Sequence, residues 1–198
     1  MPLENSTLRA VDYRKYHDLE SYLFGEVSSR FRRNGTLSAF DFFCIIIWKA
    51  NRAKSRVAER LRAHGYDDLG RAVTALTSAI AKARTDRAKM KILVSDWGFR
   101  LPMASAILTV LYPNAFTIYD VRVCDVLGNF RNAQYRTHFD ALWSEYEEYV
   151  KAVRRAVKAK HNLRDKDRWL WGKSFCDQLQ KQISAKFEKV SQENGTEA

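Results

Sequence analysis

Residues that interrupt helices are rare in this chain. It has eight glycines and three prolines in 198 residues, and the prolines are Pro2, Pro102 and Pro113. Glycine and proline are the strongest breakers of regular helix, so long uninterrupted stretches remain between them. Alanine, leucine, arginine, lysine and glutamate fill those stretches, and the alternation typical of strands is scarce. The sequence therefore predicts an all-α fold.

The helical pattern covers most of the chain. We expect Ser38 to cap the second helix, and Asp67 or Asp68 to open a helix that continues to residue 92. The run Ile45-Ile46-Ile47 makes the second helix apolar all round, so it should be central and buried. The ranges expected from periodicity and capping are 13–31, 39–50, 53–64, 74–92, 121–127, 137–160 and 165–190. We expect one domain over 1–190, with a polar, disordered tail over 191–198.

Basic residues outnumber acidic ones. The chain has 34 lysines and arginines against 23 aspartates and glutamates, a formal net charge of +11 at pH 7. Such an excess favours a polyanionic partner, and nucleic acid is the usual one. The composition thus favours a nucleic acid partner before any motif is considered.

The cysteines, the histidines and the short apolar stretches argue against metal-binding, secreted and membrane proteins. Cys44, Cys124 and Cys176 form no C-x-x-C pair, and the four histidines are scattered, so we predict no metal site and no catalytic triad. Residues 1–10 lack the pattern of a signal peptide, and the longest apolar run, 42–48, is too short to cross a bilayer. We predict a cytoplasmic protein, nucleoid-associated if bacterial, with no membrane segment and no cofactor, and expect a monomer.

The stretch from Gly98 to Asp120 has the most specific pattern. Gly98 can adopt the backbone angles of a tight turn, and Pro102 suits the first turn of the helix that follows. Small residues at 104–106 allow close helix packing. After the turn at Tyr112-Pro113, Asp120 stands where a helix begins, in an apolar context. A glycine turn beside a helix N-terminus favours anion binding, and the aspartate is also a favoured N-cap.

This order resembles the core of the helix-hairpin-helix DNA glycosylases (the HhH-GPD superfamily), and 8-oxoguanine glycosylase-like members in particular. The resemblance implies two helical lobes around a cleft, a hairpin over 96–127 with its catalytic aspartate, and Asp120 acting on the sugar as the base leaves. Two positions depart from the family pattern. Pro102 stands where bifunctional members carry a catalytic lysine, and Arg100 stands where the second hairpin glycine is usual.

The resemblance also implies roles for residues outside the hairpin. Because the lysine is missing, we expect a monofunctional DNA N-glycosylase that flips a damaged or mispaired base and hydrolyses its bond. Asn51 would fill the gap left by the flipped base. Residues expected to contact DNA are Gly98, Arg100, Asn51, Arg52, Arg56, Arg60 and Arg122, of which 52, 56 and 60 have the spacing of one helical face. Side chains considered for the base pocket are Trp48, Tyr119, Trp169 and Trp171.

Two other functions fit the same sequence. A catalytically inactive member would bind DNA in a defence or regulatory role, with Asp120 serving only as a helix cap. A basic helical protein-interaction domain would use Gly98 as an ordinary helix C-cap and have solvated basic faces. The identity of the base or lesion is not encoded in any single motif, because a lesion pocket is built from scattered side chains.

Overall fold

A computed structural model describes residues 12–158 and 161–193 of the chain. Within these ranges every regular element is helical and none is a strand. The prediction of an all-α protein is therefore confirmed.

The helices follow one another with short connections. Short 3₁₀ turns lie at Tyr13–Tyr16, Asn51–Ala53 and Ala133–Tyr135, and π-helical turns lie at Leu23–Val27 and Ile92–Asp96. The α-helices are α1 (Leu19–Tyr22), α2 (Ser28–Asn34), α3 (Ala39–Ala50), α4 (Lys54–Arg62), α5 (Leu69–Lys82), α6 (Asp86–Lys91), α7 (Leu101–Leu111), α8 (Val121–Leu127), α9 (Phe139–Ala156) and α10 (Leu163–Glu193).

Side-chain caps fix several helix starts. Ser38 caps α3 by accepting the backbone N–H of Asp41 at 3.1 Å, as predicted. Of the two aspartates considered for α5, Asp68 is the cap, and its carboxylate accepts the N–H of Arg71 at 2.8 Å. These bonds satisfy N–H groups that have no partner within the helix. They show that the local capping signals were interpreted correctly.

Other expected helix boundaries were wrong. The helix expected over 74–92 breaks after Lys82, because Ala83 is extended and Thr85 caps a new helix, α6. Tyr13–Tyr16 is a 3₁₀ turn, and the helix beyond it contains a π turn. Asn162, rather than Asp165, caps α10, since its side chain accepts the N–H of residue 165 at 2.8 Å.

Both ends of the last two helices also differ from expectation. Helix α9 ends at Ala156 rather than at 160, and α10 begins at Leu163 and continues to Glu193. The helix thus runs three residues into the segment 191–198 that was expected to be a disordered tail. Residues 194–198 lie outside the described residues.

The core is a single cluster of buried side chains around α3 and α7. In α7, every residue from Ala104 to Leu111 is buried. Ile45 and Ile46 of α3 are fully buried, but Ile47 is 37% exposed. The expectation that α3 would be buried on all sides was therefore wrong: Ile47 and Phe40, which is 56% exposed, leave one of its faces open to solvent.

None of the helices in residues 12–158 and 161–193 is long and apolar enough to cross a membrane. This agrees with the expectation that no segment spans a bilayer.

Candidate functional site

Asp120 stands at the end of a segment, residues 117–120, that belongs to no helix or sheet. Two buried tyrosines of α9, Tyr146 and Tyr149, donate from their hydroxyls to successive backbone carbonyls of this segment at 2.6 and 2.7 Å. The buried hydroxyl of Ser105 in α7 accepts the next backbone N–H at 2.9 Å. Buried backbone groups need such partners, and here side chains of two helices supply them. The position of Asp120 is therefore set from both sides.

The carboxylate of Asp120 has two different partners. Its Oδ1 accepts the backbone N–H of Arg122 at 3.0 Å, which makes Asp120 the N-cap of α8. Its Oδ2 accepts a hydrogen bond from Nζ of Lys49 at 2.8 Å. The Lys49 and Asp120 side chains are 17% and 21% exposed, so the ion pair is largely withdrawn from water but still reachable. Asp120 is thus a helix cap and also a group that faces open space.

Lys49 lies in the last turn of α3, and its amine reaches a cavity of about 330 Å³. The cavity is the space between α1, the last turn of α3, the start of α8 and the first turns of α10. Three carboxylates and three cations contribute to its walls, together with two tryptophans and one isoleucine. The lining residues are Glu20, Trp48, Lys49, Ile118, Asp120, Arg164, Asp167, Arg168 and Trp171.

On one side of the cavity, two arginines of α10 both bind a single carboxylate of α1. Arg164 donates to Oε1 of Glu20 at 2.6 Å, and Arg168 donates to the same oxygen at 2.8 Å. The Arg164 guanidinium also pairs with Asp167 one turn along α10 and lies 5.3 Å from the ring centroid of Trp48. Bidentate and stacked arginines hold their geometry well. This network fixes the start of α10 against α1 and α3.

Asp167 is the most deeply buried carboxyl group of the cavity, with 2% of its surface exposed. Burial raises its pKa from 3.8 to about 6, and the nearby Arg164 opposes that rise without cancelling it. Desolvation disfavours the charged form of a carboxyl group, which explains the direction. Asp120 raises the pKa further by like-charge repulsion, and Lys49 lowers it. The cavity therefore contains one carboxyl group whose protonation changes near neutral pH.

The four aromatic residues considered for a base pocket divide into two groups. Trp48 and Trp171 line the cavity. Trp169 is 50% exposed and does not line it. Tyr119 is fully buried, and its hydroxyl donates to the carbonyl of Phe130 at 2.6 Å, so it faces away from the cavity into the core.

Both cavity tryptophans have arginine neighbours. Arg122, which was expected to contact DNA, places its guanidinium 5.4 Å from the ring centroid of Trp171. Trp171 also stacks on Phe175 with ring centroids 5.8 Å apart. Trp48 and Trp171 are thus rings already held by neighbouring cations and, for Trp171, by a second ring.

The hairpin at Gly98 has the expected left-handed turn. Gly98 has φ of 66°, and the N–H of Phe99 donates back to the carbonyl of Leu93 at 2.8 Å. A β-carbon added at Gly98 would lie 3.2 Å from Nη1 of Arg60, so this arginine rests directly on the turn. Arg100 is exposed immediately before α7. The structure thus brings Gly98, Arg100 and Arg60 together.

Three further residues expected to contact DNA lie in the turn after α3 and on α4. Asn51 and Arg52 are exposed in the 3₁₀ turn after α3, and Arg56 is exposed on α4. Because the 3₁₀ turn interrupts the helix, the spacing of 52, 56 and 60 does not define one α-helical face, contrary to expectation. Among the described residues, none of Arg52, Arg56, Arg60 and Arg100 forms an ion pair with an acidic side chain.

The most informative residues of the cavity were missed from the sequence. The sequence patterns assigned no role to Lys49, Asp167 or Glu20. Arg164 and Asp167 are three residues apart in a segment rich in charges and aromatics, which was the available signal. Within the described parts of the chain, no cluster of three or more histidine, cysteine, aspartate or glutamate side chains is arranged to hold a metal ion.

Comparison of the chain with protein-family models, with curated proteins and with solved structures found no match.

The raised pKa of Asp167 has a consequence for stability. A carboxyl group whose pKa is higher in the folded than in the unfolded chain stabilises the fold at low pH and loses that contribution as pH rises. The shift from 3.8 to about 6 corresponds to about 3 kcal/mol. We expect the unfolding free energy of wild type, relative to Asp167→Asn, to fall by up to this amount between about pH 4 and 7.

Urea denaturation at several pH values measures this difference. Asp165→Asn, which removes an acidic side chain from the same helix, is the control. A difference between wild type and Asp167→Asn that stays constant with pH would contradict the prediction. If the unfolding free energy of wild type relative to Asp165→Asn fell equally with pH, the effect would belong to the charge of α10 as a whole rather than to the burial of Asp167.

Proposed function

We propose that this protein is a DNA glycosylase of the helix-hairpin-helix type, which binds double-stranded DNA, flips a damaged or mispaired base and breaks its glycosidic bond. The observation that carries the proposal is the position of Asp120, whose carboxylate faces a cavity walled by Trp48 and Trp171. In this proposal the cavity is the cleft between two helical lobes, and it receives the flipped base.

The cavity has the chemistry that glycosidic cleavage needs. As the base leaves, positive charge builds on the sugar, and a carboxylate close to C1′ stabilises it or activates a water molecule. Asp120 is held in place by the cap bond to the Arg122 N–H and by Lys49. A group fixed before the reaction costs no reorganisation in the transition state. The aromatic walls supply stacking surfaces for a base taken out of the duplex.

The basic surface supports a DNA-bound role. The chain runs from Lys49 at the cavity through Asn51 and Arg52 to Arg56, and Arg60 meets the Gly98 turn. Arg56 and Arg60 lie one turn apart on α4, about 6 Å along the helix at 1.5 Å per residue. One strand of B-DNA places a phosphate about every 3.4 Å along its axis, so this pair matches about two phosphates.

Loss of the Asp120 carboxylate should abolish base release. We expect Asp120→Asn to lower the rate on the preferred duplex by about 10²–10³-fold, because the amide lacks the negative charge that stabilises the sugar cation. The measurement is base release from duplexes carrying uracil, 8-oxoguanine, alkylated purines or mispaired adenine. Asp125→Asn, in the same helix but away from the cavity lining, is the matched control. Unchanged release by Asp120→Asn would refute the assignment of Asp120.

The Lys49 amine favours a second form of the same activity. Pro102 offers no amine, but Lys49 places one 2.8 Å from Asp120 by way of a different helix. As a nucleophile its nitrogen would bond to C1′ while the bond to the base breaks. The nitrogen then loses a proton, the C1′–O4′ bond opens with O4′ taking up a proton, and an imine results. Elimination of the 3′ phosphate would then cleave the strand, which a monofunctional enzyme does not do.

Borohydride trapping separates the two forms. If Lys49 is the nucleophile, reduction during turnover links wild type covalently to the DNA, and Lys49→Arg gives no adduct although its positive charge remains. If water is the nucleophile, wild type releases base without an adduct. An adduct formed equally by Lys49→Arg would exclude this lysine.

The alternatives without catalysis make different predictions for binding. If the hairpin and Arg56 contact phosphates, Gly98→Ala and Arg56→Ala should weaken duplex binding, and Arg56→Ala should reduce the salt slope of log K by about one. Arg155→Ala, an exposed cation of α9, is the control. An inactive DNA-binding module would show these losses without base release. A protein-interaction domain would show reduced stability in Gly98→Ala and unchanged DNA affinity.

A further inference from the structure

Two carboxyl groups of the cavity lie in contrasting environments. Asp120 is partly exposed and accepts hydrogen bonds from Lys49 and from a backbone N–H. Asp167 is almost completely buried on α10, where its hydrogen-bonding partner is Arg164. Both line the same space. In enzymes that cleave glycosidic bonds, carboxyl groups held in different environments divide the work, one remaining charged and the other donating a proton.

The charges that face Asp167 come from every element around the cavity. Glu20 lies on α1, Lys49 on α3, Asp120 before α8, and Arg164 and Arg168 on its own helix. The positive charge of Arg164 is shared between two carboxylates, because its guanidinium binds Glu20 at 2.6 Å as well as Asp167. Burial outweighs the attraction of that shared arginine and raises the pKa of Asp167 to about 6. A proton on this carboxyl group is therefore readily available near neutral pH.

We propose that Asp167 is the general acid that protonates the departing base. This inference rests on the glycosylase function proposed above. In the step, the bond between C1′ and the base nitrogen breaks with its electron pair going to the base, and the proton of the Asp167 carboxyl group passes to a ring nitrogen or exocyclic oxygen of the base. The oxygen of water bonds to C1′ and its proton passes to Asp120. Where Lys49 is the nucleophile, its ammonium first gives a proton to Asp120, and the nitrogen bonded to C1′ then releases a second proton to solvent. Asp120 then returns a proton to Asp167 through solvent.

A general acid specifies a class of substrate. Neutral bases are poor leaving groups as anions, so their departure is accelerated by proton donation. Bases that already carry a fixed positive charge, such as 7-methylguanine, leave as neutral molecules and need no proton. The cavity is therefore built for neutral bases, oxidised or mispaired, and its acid should be dispensable for cationic alkylated ones.

The test compares the two leaving groups in one protein. Full-length wild type, Asp167→Asn and Asp167→Glu are assayed in single turnover on duplexes that carry a neutral base or 7-methylguanine, from pH 5 to 8. Asp167→Asn should lose about 10²–10⁴-fold on the neutral base. It should lose less than about threefold on 7-methylguanine, which also shows that the variant is folded. Asp167→Glu should restore part of the activity on the neutral base.

The pH profile supplies a readout that a structural role would not move. With wild type, release of the neutral base should fall about tenfold per pH unit above pH 6, whereas release of 7-methylguanine should not fall with pH in this way. Equal losses on both bases in Asp167→Asn, or a flat profile for the neutral base, would overturn the acid assignment while leaving the glycosylase proposal standing. So would a wild type that releases 7-methylguanine alone. A wild type that releases no base from any duplex would overturn both proposals.

Discussion

The geometry of the cavity depends on how the segment 117–120 is held. This segment belongs to no helix or sheet, so its buried backbone groups need partners from elsewhere. Tyr146 and Tyr149 of α9 and Ser105 of α7 provide them through buried hydroxyls. An unsatisfied buried group would cost about 1–3 kcal/mol, so these side chains leave the segment little freedom. The result is a rigid support that delivers Asp120 to the start of α8.

The support of segment 117–120 bears on the ion pair between Lys49 and Asp120 at its end. A buried pair adds little net stability, because desolvation of both charges offsets their attraction. Lys49 and Asp120 are mostly buried and come from helices α3 and α8, which are far apart in sequence. In the function proposed above, this pair holds the Asp120 carboxylate in place beside the cavity.

Local signals predicted the parts of this site that depend on local structure. Asp120 as a helix cap, Gly98 in a left-handed turn, and Ser38 and Asp68 as caps follow from the chemistry of single turns. The break after Lys82 was missed because Ala83 and Arg84 are good helix formers, and only the Thr85 cap marks the new start. Propensity alone does not show where packing ends a helix.

The cavity itself depended on contacts that no local pattern contains. Lys49 meets Asp120 across 71 residues, and Arg164 meets Glu20 across 144. On the sequence, Lys49 is one more cation after an apolar helix, and Asp167 is one more acid in a charged segment. Their burial is decided by how α1, α3 and α10 pack together, so a change of pKa at Asp167 could not be predicted before the fold was known.

Charge is distributed unevenly between the cavity and the surface. Three carboxylates and three cations line the cavity, so it contributes nothing to the net charge of +11. The excess lies outside it, on side chains such as Arg52, Arg56 and Arg100, which have no acidic partner among the described residues. Solvated cations of this kind attract a polyanion over a Debye length of about 8–10 Å. Because the charges that line the cavity cancel, it does not attract ions of one sign, and a neutral group can enter it without competition from counter-ions. In the function proposed above, the basic surface holds the DNA backbone and the cavity selects the base.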